Sequence, residues 1–356
     1  MNDYIYLGID DHKWFATIAA VNEAGETLKV EPRVQKTSED IKRFLISLGA
    51  NNHYKAVLEA GRNWGVTYDL LESLPQVAEV ILANPFKVKA IASAYLKTDT
   101  VDALTLAHLR RVNYIPQVHI PDKKTRQLKY LIRQRAFLVV IKTQLKNRIH
   151  IILERNHIST PEVTDLFGKK GREFMATVEL PPTERFLLSQ HLELLKYCEV
   201  KIKEVGDIAR AELATDERVR LLKTVPGIGE VFAPLIALEI EDINRFSEPK
   251  KLWSYSGLVP TTYASGKRVY HGRLIKYCNK WLRWAFIEGV HSAIRCSIYF
   301  GRYYEFKEWQ KGSQAATIST ARRLARVVYW VLKDNQEYKE PRYSSTFFNL
   351  RGSGQA

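Results

Sequence analysis

Apolar runs and polar links alternate along the first quarter of the chain. Three apolar runs, separated by short links that contain residues such as Asn22 and Gly25, predict three antiparallel strands. Two further buried-type strands alternate with helical patterns that begin near residues 37 and 64. Together these elements predict a mixed α/β sheet. The predicted strands are residues 5–9, 15–21, 27–34, 56–58 and 80–83.

The pattern becomes helical in the middle of the chain. Apolar residues recur at helical spacing over residues 123–152, and a second helical stretch covers residues 184–214. Two long helices joined by a link predict an antiparallel coiled coil. Shorter helices are predicted at residues 231–240, 281–300 and 316–332.

The chain is too long for one compact core, so several domains are expected. We predict an α/β domain at residues 1–118, a helical coiled-coil linker at residues 119–216 and a mostly helical domain at residues 217–338. The polar residues 339–356 are expected to form a loosely ordered tail. The predicted fold class is therefore α/β plus all-α.

The charge balance favours a polyanionic partner. Lys and Arg together number 54 against 39 Asp and Glu, a net charge of +15, which favours nucleic acid or, less often, an acidic membrane surface. No long uncharged apolar stretch predicts a membrane span, and the N-terminus lacks a secretory pattern. The three cysteines are far apart and predict neither a metal motif nor a disulfide framework. We therefore expect a cytoplasmic protein that does not associate with membranes.

Acidic residues end two predicted strands and open a predicted helix. Asp10 and Glu59 each follow an apolar strand, whereas Asp99 and Asp102 are three residues apart and share a helix face. Like charges at that spacing repel unless a cation lies between them. Carboxylate clusters suit Mg²⁺ or Mn²⁺, and two such ions can act on a phosphodiester. The four acids therefore predict a metal-dependent site.

The residues alone leave other interpretations of these acids open. Asp99 can be a helix N-cap, and Asp102 can complement the helix dipole. An Asp at a strand end is often a turn residue. Asp11, rather than Asp10, can be the inward-facing acid, because the preceding strand is apolar on both faces.

Basic residues are concentrated on the first long helix. Residues 123–148 contain nine Lys or Arg and no acid, which we interpret as contact with a nucleic-acid backbone rather than as a solvated helix face. The nine are Lys123, Lys124, Arg126, Lys129, Arg133, Arg135, Lys142, Lys146 and Arg148.

The C-terminal part carries two further motifs. The Pro-Gly-x-Gly run at residues 226–229 predicts a helix-hairpin-helix whose Gly227 and Gly229 let the backbone approach a phosphate; a simple tight turn is the alternative. Ser265 lies on a glycine-flanked loop before a basic segment. It is a candidate nucleophile that a metal ion would activate, although most such serines are turn residues. The basic residues expected to contact nucleic acid there are Lys267, Arg268, Arg273, Lys276 and Arg283.

Taken together, these motifs resemble the DEDD transposases of insertion-sequence family one-ten, over residues 6–332. Two positions depart from the family pattern: Gly61-Arg62 follow Glu59-Ala60, and Cys278 replaces a glycine before Asn279. The matching segments are Gly8-Ile9-Asp10 with Lys13, Glu59-Ala60, the KTDTVDA run at residues 97–103, Gly257-Leu258-Val259-Pro260, Tyr263-Ala264-Ser265-Gly266, and the pattern of Gly272, Lys276, Asn279, Leu282 and Arg283.

The resemblance implies an RNase H-like, RuvC-like first domain, a coiled-coil linker and a serine-bearing transposase domain with a helix-hairpin-helix. It implies that Asp10, rather than Asp11, joins Glu59, Asp99 and Asp102 in binding Mg²⁺ (or Mn²⁺). Ser265 would attack DNA and form a transient phosphoserine link before the strands rejoin. The implied partners are donor and target DNA, a structured bridge RNA, and further copies of the chain in a dimer or tetramer. In the tetramer one copy's acids meet another's serine. A prokaryotic cytoplasm, with action at the nucleoid, is the implied location.

Three alternatives remain. A metal-dependent nuclease or junction resolvase of the same fold would use water in place of Ser265. A nonenzymatic nucleic-acid scaffold would need only the basic helix and the hairpin. An actin-like sugar kinase also begins with a strand, an Asp and a hairpin, but a glycine-rich phosphate loop is missing from the expected places.

Overall fold

The computed structural model describes residues 4–49, 51–92, 98–265 and 268–341. Contacts divide the chain into two compact units, residues 1–120 and residues 121–356. Each unit has hydrophobic cores of its own. Three residues of the motifs above, Lys97, Gly266 and Lys267, lie outside the described residues.

A six-stranded sheet forms the centre of the first unit. Its strands are β1 (Tyr4–Asp11), β2 (Phe15–Val21), β3 (Thr27–Gln35), β4 (His53–Glu59), β5 (Val77–Ala83) and β6 (Gln117–Val118). Their order across the sheet is β3-β2-β1-β4-β5-β6. The first three are antiparallel, β4 and β5 run parallel to β1, and β6 is antiparallel to β5. The predicted mixed sheet is confirmed.

Four helices cover the two faces of this sheet. They are α1 (Ser38–Ser47), α2 (Trp64–Glu72), α3 (Pro85–Ile91) and α4 (Asp99–Arg111). Strand alternation puts Leu7 and Ile9 of β1 in a core that also contains Phe44 of α1 and Leu71 of α2. The opposite face carries Gly8 and is covered by α4. Asp10 is two residues after Gly8 on β1, so it lies on the same face of the sheet, the one covered by α4.

The approach of α4 to β1 depends on Gly8. A methyl group built at Gly8 would collide with the carbonyl oxygen of Ala103 and the amide nitrogen of Ala107. Both alanines are fully buried. Small residues at these three positions let the helix backbone rest directly on the strand. Since α4 begins at Asp99, this packing fixes where the start of the helix lies relative to β1.

Two long helices open the second unit. They are α5 (Lys123–Arg155) and α7 (Pro182–Glu212), with the short α6 (Lys169–Thr177) between them. Arg155 pairs with Glu184 at one end of the helix pair, and Lys124 pairs with Glu212 at the other, so the two helices are antiparallel. The predicted pair of long helices is confirmed, with α5 extending to Arg155.

The rest of the second unit, as far as its residues are described, is mostly helical, as predicted, with one exposed two-stranded hairpin. The elements are α8 (Glu217–Leu222), α9 (Phe232–Ile240), a 3-10 turn (Ile243–Arg245), α10 (Pro249–Tyr255), β7 (Pro260–Ser265), β8 (Arg268–Leu274), α11 (Lys280–Cys296), α12 (Ile298–Lys311) and α13 (Ser313–Lys333).

Among the helices that the structure describes, none combines the length and the apolar character needed to span a membrane.

The single helix predicted at residues 281–300 is wrong, because Ser297 divides that stretch. Ser297 has an extended backbone (φ −137°, ψ 125°), and its hydroxyl accepts from the Phe300 amide, which starts α12. Glu340 stabilises this junction between α11 and α12, because its carboxylate accepts hydrogen bonds from Ser297 Oγ at 2.7 Å and from the Tyr299 amide at 3.0 Å. Residues 339–341 of the predicted tail have no regular secondary structure and are exposed, although Glu340 makes these contacts, and residues 342–356 lie outside the described ranges.

We expect Gly8→Ala to lower the free energy of unfolding of the first unit by about 1–3 kcal/mol, because its methyl group must push α4 away from β1. Urea unfolding of the full chain measures this loss. Gly61→Ala is the matched control: a methyl group there meets only the Glu59 carbonyl oxygen, at 4.0 Å. Equal losses in the two variants would contradict the close packing at Gly8.

Candidate active site

Asp10 and Glu59 lie at the ends of neighbouring parallel strands. Ile9 of β1 is in register with Leu58 of β4, so the two acids occupy the next position on each strand. Carboxyl ends of parallel strands meet at one edge of a sheet, where ligands commonly bind. The strand order therefore places the first two predicted acids side by side.

Asp99 and Asp102 occupy the first turn of α4. The N-cap of this helix is Thr98, whose hydroxyl accepts from the Val101 amide at 3.2 Å. The alternative that Asp99 caps the helix is therefore wrong. The Asp99 side chain is 54% exposed and is available for another partner.

Asp10 and Asp99 converge on a histidine. His12 Nε2 lies 3.2 Å from Asp10 Oδ2 and 3.0 Å from Asp99 Oδ2. One ligand atom from each of the three residues lies within 4.8 Å of the others. Two carboxylates and an imidazole are donors that divalent cations accept, so these side chains fit a metal ion.

His12 was not predicted as part of the site. The sequence feature that could have indicated His12 is its position two residues after Asp10, because alternate residues of an extended chain point to the same side. The structure adds the second partner, since only the packing of α4 brings Asp99 to the same place. Asp102 lies on α4 with Asp99, and Glu59 ends the neighbouring strand β4, but within the described ranges neither is part of this group of mutually close ligand atoms.

Asp11 has a different environment from Asp10. Its side chain is 2% exposed and pairs at 2.8 Å with Lys36 Nζ, itself 8% exposed. The Thr67 hydroxyl also donates to Asp11. A buried carboxylate whose partners are a lysine and a hydroxyl has a structural role within the fold. This geometry favours Asp10 over Asp11 as the acid that faces the site.

Ser265 ends a solvent-exposed strand rather than lying in a loop. It is the last residue of β7 and is in register with Arg268 at the start of β8. Tyr263 and Tyr270 form the next pair on the same face and are 67% and 68% exposed. The hairpin thus presents a hydroxyl, a guanidinium and two aromatic rings together on one surface.

Several basic residues of α5 point into the protein. Glu239 of α9, 2% exposed, receives Arg133 Nη2 at 2.6 Å and lies 3.9 Å from Lys129 Nζ. Asn279 Nδ2 also donates to Glu239, at 2.8 Å. Burial lowers the pKa of Lys129 in spite of this neighbouring carboxylate. Lys129 and Arg133 therefore connect α5 to α9 and are unsuited to phosphate contact.

Other predicted nucleic-acid contacts are also engaged within the fold. Lys142 pairs with Glu199 at 3.1 Å, and burial lowers the pKa of Arg135. Arg283 Nη2 donates to the carbonyl oxygens of Gly257 and Ile275. Lys146 lies over the Phe167 ring, and Arg126 is half-buried. The predicted residues that remain exposed are Lys123, Lys124, Arg148, Arg268, Arg273 and Lys276.

The two glycines of the turn that the sequence predicts to be a helix-hairpin-helix have different environments. Gly227 has φ +84°, and a methyl group there would collide with the backbone of Gly289 on α11. Gly227 therefore packs the turn against its own protein. A methyl group at Gly229 would meet nothing within 4 Å, so Gly229 lies on the open side of the turn.

Comparison with known families is consistent with this arrangement. Residues 7–158 match the model of DEDD transposases of the IS110 type, and residues 219–305 match the model described as the IS116/IS110/IS902 transposase family. The chain belongs to the IS110 family of transposases. As an IS110-family transposase it is a DNA-recombining enzyme.

Relatives of this IS110-family transposase align over much of its length. The insertion element IS116 44.8 kDa protein of Streptomyces clavuligerus is 23% identical, over 94% of this chain and 96% of its own length. The transposase for insertion sequence element IS1328 of Yersinia enterocolitica is 27% identical, over 71% and 76%. A pilin gene-inverting protein of Moraxella bovis is 33% identical over a shorter region, 35% of this chain and 39% of its own.

We expect the two adjacent aspartates of this IS110-family transposase to differ in their effect on stability. Asp11→Asn leaves the Lys36 ammonium buried without its counter-charge and should cost about 3–5 kcal/mol of unfolding free energy. Asp10→Asn removes a charge from a partly exposed cluster and should change stability by less than about 0.5 kcal/mol. Urea unfolding in the presence of a chelator compares the two variants. A larger loss for Asp10→Asn would reverse the assignment.

Proposed function

We propose that this transposase cuts and rejoins DNA through Ser265, with a divalent metal ion held by Asp10, Glu59, Asp99 and Asp102. The observation that carries the proposal is the convergence of Asp10 and Asp99 from separate elements. The strand order, three antiparallel strands followed by two parallel ones, supports an RNase H-like, RuvC-like domain.

The proposed role of the carboxylates is to hold Mg²⁺ or Mn²⁺. Such an ion neutralises charge on a phosphodiester and helps a hydroxyl to lose its proton. Asp10 and Glu59 approach from the sheet edge, and Asp99 and Asp102 approach from the first turn of α4. Together these four residues would hold the cation.

The proposed role of Ser265 is that of nucleophile. Its Oγ bonds to the phosphorus and loses its proton, while the bridging oxygen of one DNA strand leaves and takes up a proton as a free hydroxyl. In the second step a strand hydroxyl attacks the phosphoserine, which restores the serine and reseals DNA. Arg268, in register with Ser265, is placed to contact the phosphate oxygens.

The acids and the serine belong to different units of the chain. We propose a composite site in which the acids of one copy act with the serine of another, within a dimer or tetramer. Residues 119–216 would serve as the linker, and residues 217–338 as the serine-bearing domain. Donor and target DNA would be selected by a structured bridge RNA, in the cytoplasm at the nucleoid.

The exposed part of the predicted basic surface supports a nucleic-acid partner. Lys123, Lys124 and Arg148 of α5 are exposed, as are Arg268 and Lys276 in the hairpin region. Gly229 leaves an open backbone position at the helix-hairpin-helix turn. Together these groups provide cationic and backbone contacts for phosphate.

Ser265→Ala should abolish a covalent protein–DNA adduct on a nicked suicide substrate. The adduct needs a serine oxygen, whereas metal binding by the carboxylates does not. Denaturing electrophoresis with labelled DNA detects the adduct. Ser313→Ala, at another exposed serine, is the control and should retain it. Strand cleavage without an adduct in both the parent protein and Ser265→Ala would favour the water-dependent nuclease instead.

Replacing Lys123 and Arg148 by Ala should weaken binding of the proposed bridge RNA and flatten its salt dependence. Each lost phosphate contact lowers the slope of log K against log salt by about 0.7–0.9. Filter binding at several salt concentrations measures the slope. An unchanged slope would show that this part of α5 is not the RNA surface.

A further inference from the structure

We infer that His12 supplies a nitrogen ligand to the metal centre and gives that centre a preference for Mn²⁺ over Mg²⁺. The inference rests on the proposed metal centre and deepens it. The four proposed acidic ligands offer only oxygen. His12, two residues after Asp10, adds a nitrogen donor.

The distances match adjacent positions of one coordination sphere. Adjacent ligands on an octahedral ion with bonds of about 2.1 Å lie about 3.0 Å apart, because the bonds meet at a right angle. His12 Nε2 lies 3.0 Å from Asp99 Oδ2 and 3.2 Å from Asp10 Oδ2. The three atoms therefore need little movement to share an ion.

The imidazole nitrogen is directed inward. Nε2 is buried, and in the described part of the chain it makes no hydrogen bond with acceptable angles in spite of its two short ion-pair distances. Nε2 is close to both carboxylate oxygens but is not aligned for a hydrogen bond with either. Its lone pair is therefore suited to bind a cation that the two carboxylates also bind.

The main chain around His12 is fixed on both sides. The His12 amide donates to the Phe15 carbonyl oxygen at 3.0 Å, and the His12 carbonyl oxygen accepts from Lys36 Nζ at 3.1 Å. The Phe15 ring lies 4.8 Å from the imidazole, centroid to centroid. The ligand is thus preorganised, which reduces the entropy lost when an ion binds.

A nitrogen ligand changes which ion the site prefers. Mg²⁺ favours oxygen and keeps several of its waters, whereas imidazole ligands suit transition ions. A site with His12 should therefore bind Mn²⁺ more tightly than Mg²⁺, and the difference should depend on this one side chain. The competing explanation is an imidazolium that only pairs with the two carboxylates and never contacts a metal.

The experiment titrates Mn²⁺ and Mg²⁺ separately into the full-length chain by calorimetry and records the pulsed electron paramagnetic resonance of the Mn²⁺ form. Coupling of the Mn²⁺ electron spin to a nitrogen nucleus reports a bound imidazole directly. Variants His12→Ala and His12→Asp test the side chain. His53→Ala, an exposed histidine at the start of β4, is the matched control.

We expect nitrogen coupling in the parent protein and in His53→Ala. His12→Ala should lose the coupling and bind Mn²⁺ about tenfold more weakly or worse, with Mg²⁺ binding within about twofold. His12→Asp, which keeps a ligand but changes nitrogen to oxygen, should lose the coupling and recover much of the affinity. The parent spectrum alone tests the ligand, so the result does not depend on any variant folding.

Mn²⁺ binding that Asp10→Asn abolishes, but that shows no nitrogen coupling and is unaffected by His12→Ala, would overturn the role of His12 and leave the proposed carboxylate centre standing. Failure of the parent chain to bind either ion, under conditions in which its secondary structure is intact, would overturn both. Equal losses of Mn²⁺ and Mg²⁺ affinity in His12→Ala would refute the inferred preference.

Discussion

The close contact between α4 and β1 is the constraint on which the candidate active site depends. Gly8, Ala103 and Ala107 provide almost no side-chain volume, so the helix and strand backbones meet directly. This contact fixes the distance between a strand that ends in Asp10 and a helix that begins with Asp99. The packing of α4 on β1 thereby holds two carboxylates close together although they repel each other, and the free energy of this apolar packing offsets the repulsion.

The protein treats its buried and its converging charges differently. Asp11 and Glu239 are each 2% exposed, and each has basic partners from the same unit. The Asp10 and Asp99 side chains remain partly exposed and face each other across His12. The buried carboxylates are thus neutralised by basic residues of the fold, whereas the two carboxylates at the site share a histidine and would gain a further partner in the proposed cation. This difference distinguishes two adjacent aspartates that the apolar pattern of β1 alone could not tell apart.

Local patterns predicted much of this molecule, and the remainder depends on contacts distant in sequence. Apolar runs identified β1 and β4, and the helical period identified α5. The same period could not show that Arg133 pairs with Glu239, an acid 106 residues away, so the sequence predicts a nucleic-acid contact at a base that pairs within the fold. His12 was missed for the same reason, because its second partner is brought by tertiary packing. The helix predicted at residues 281–300 is divided at Ser297, whose hydroxyl caps α12. The spacing of apolar residues does not show this cap.

The lysine–aspartate pair beneath the site also affects how folding and metal loading relate. Many small metal-binding domains unfold when the ion is removed, because ligation supplies their folding free energy. Here Lys36 neutralises the deepest carboxylate at the strand end, and Thr67 of α2 donates to it as well. The buried Asp11 carboxylate is thus neutralised by the fold itself and needs no metal ion. If the proposed ion binds at Asp10 and Asp99, its loading and release would leave this internal ion pair intact, so metal supply would limit the chemistry of the transposase without limiting its abundance.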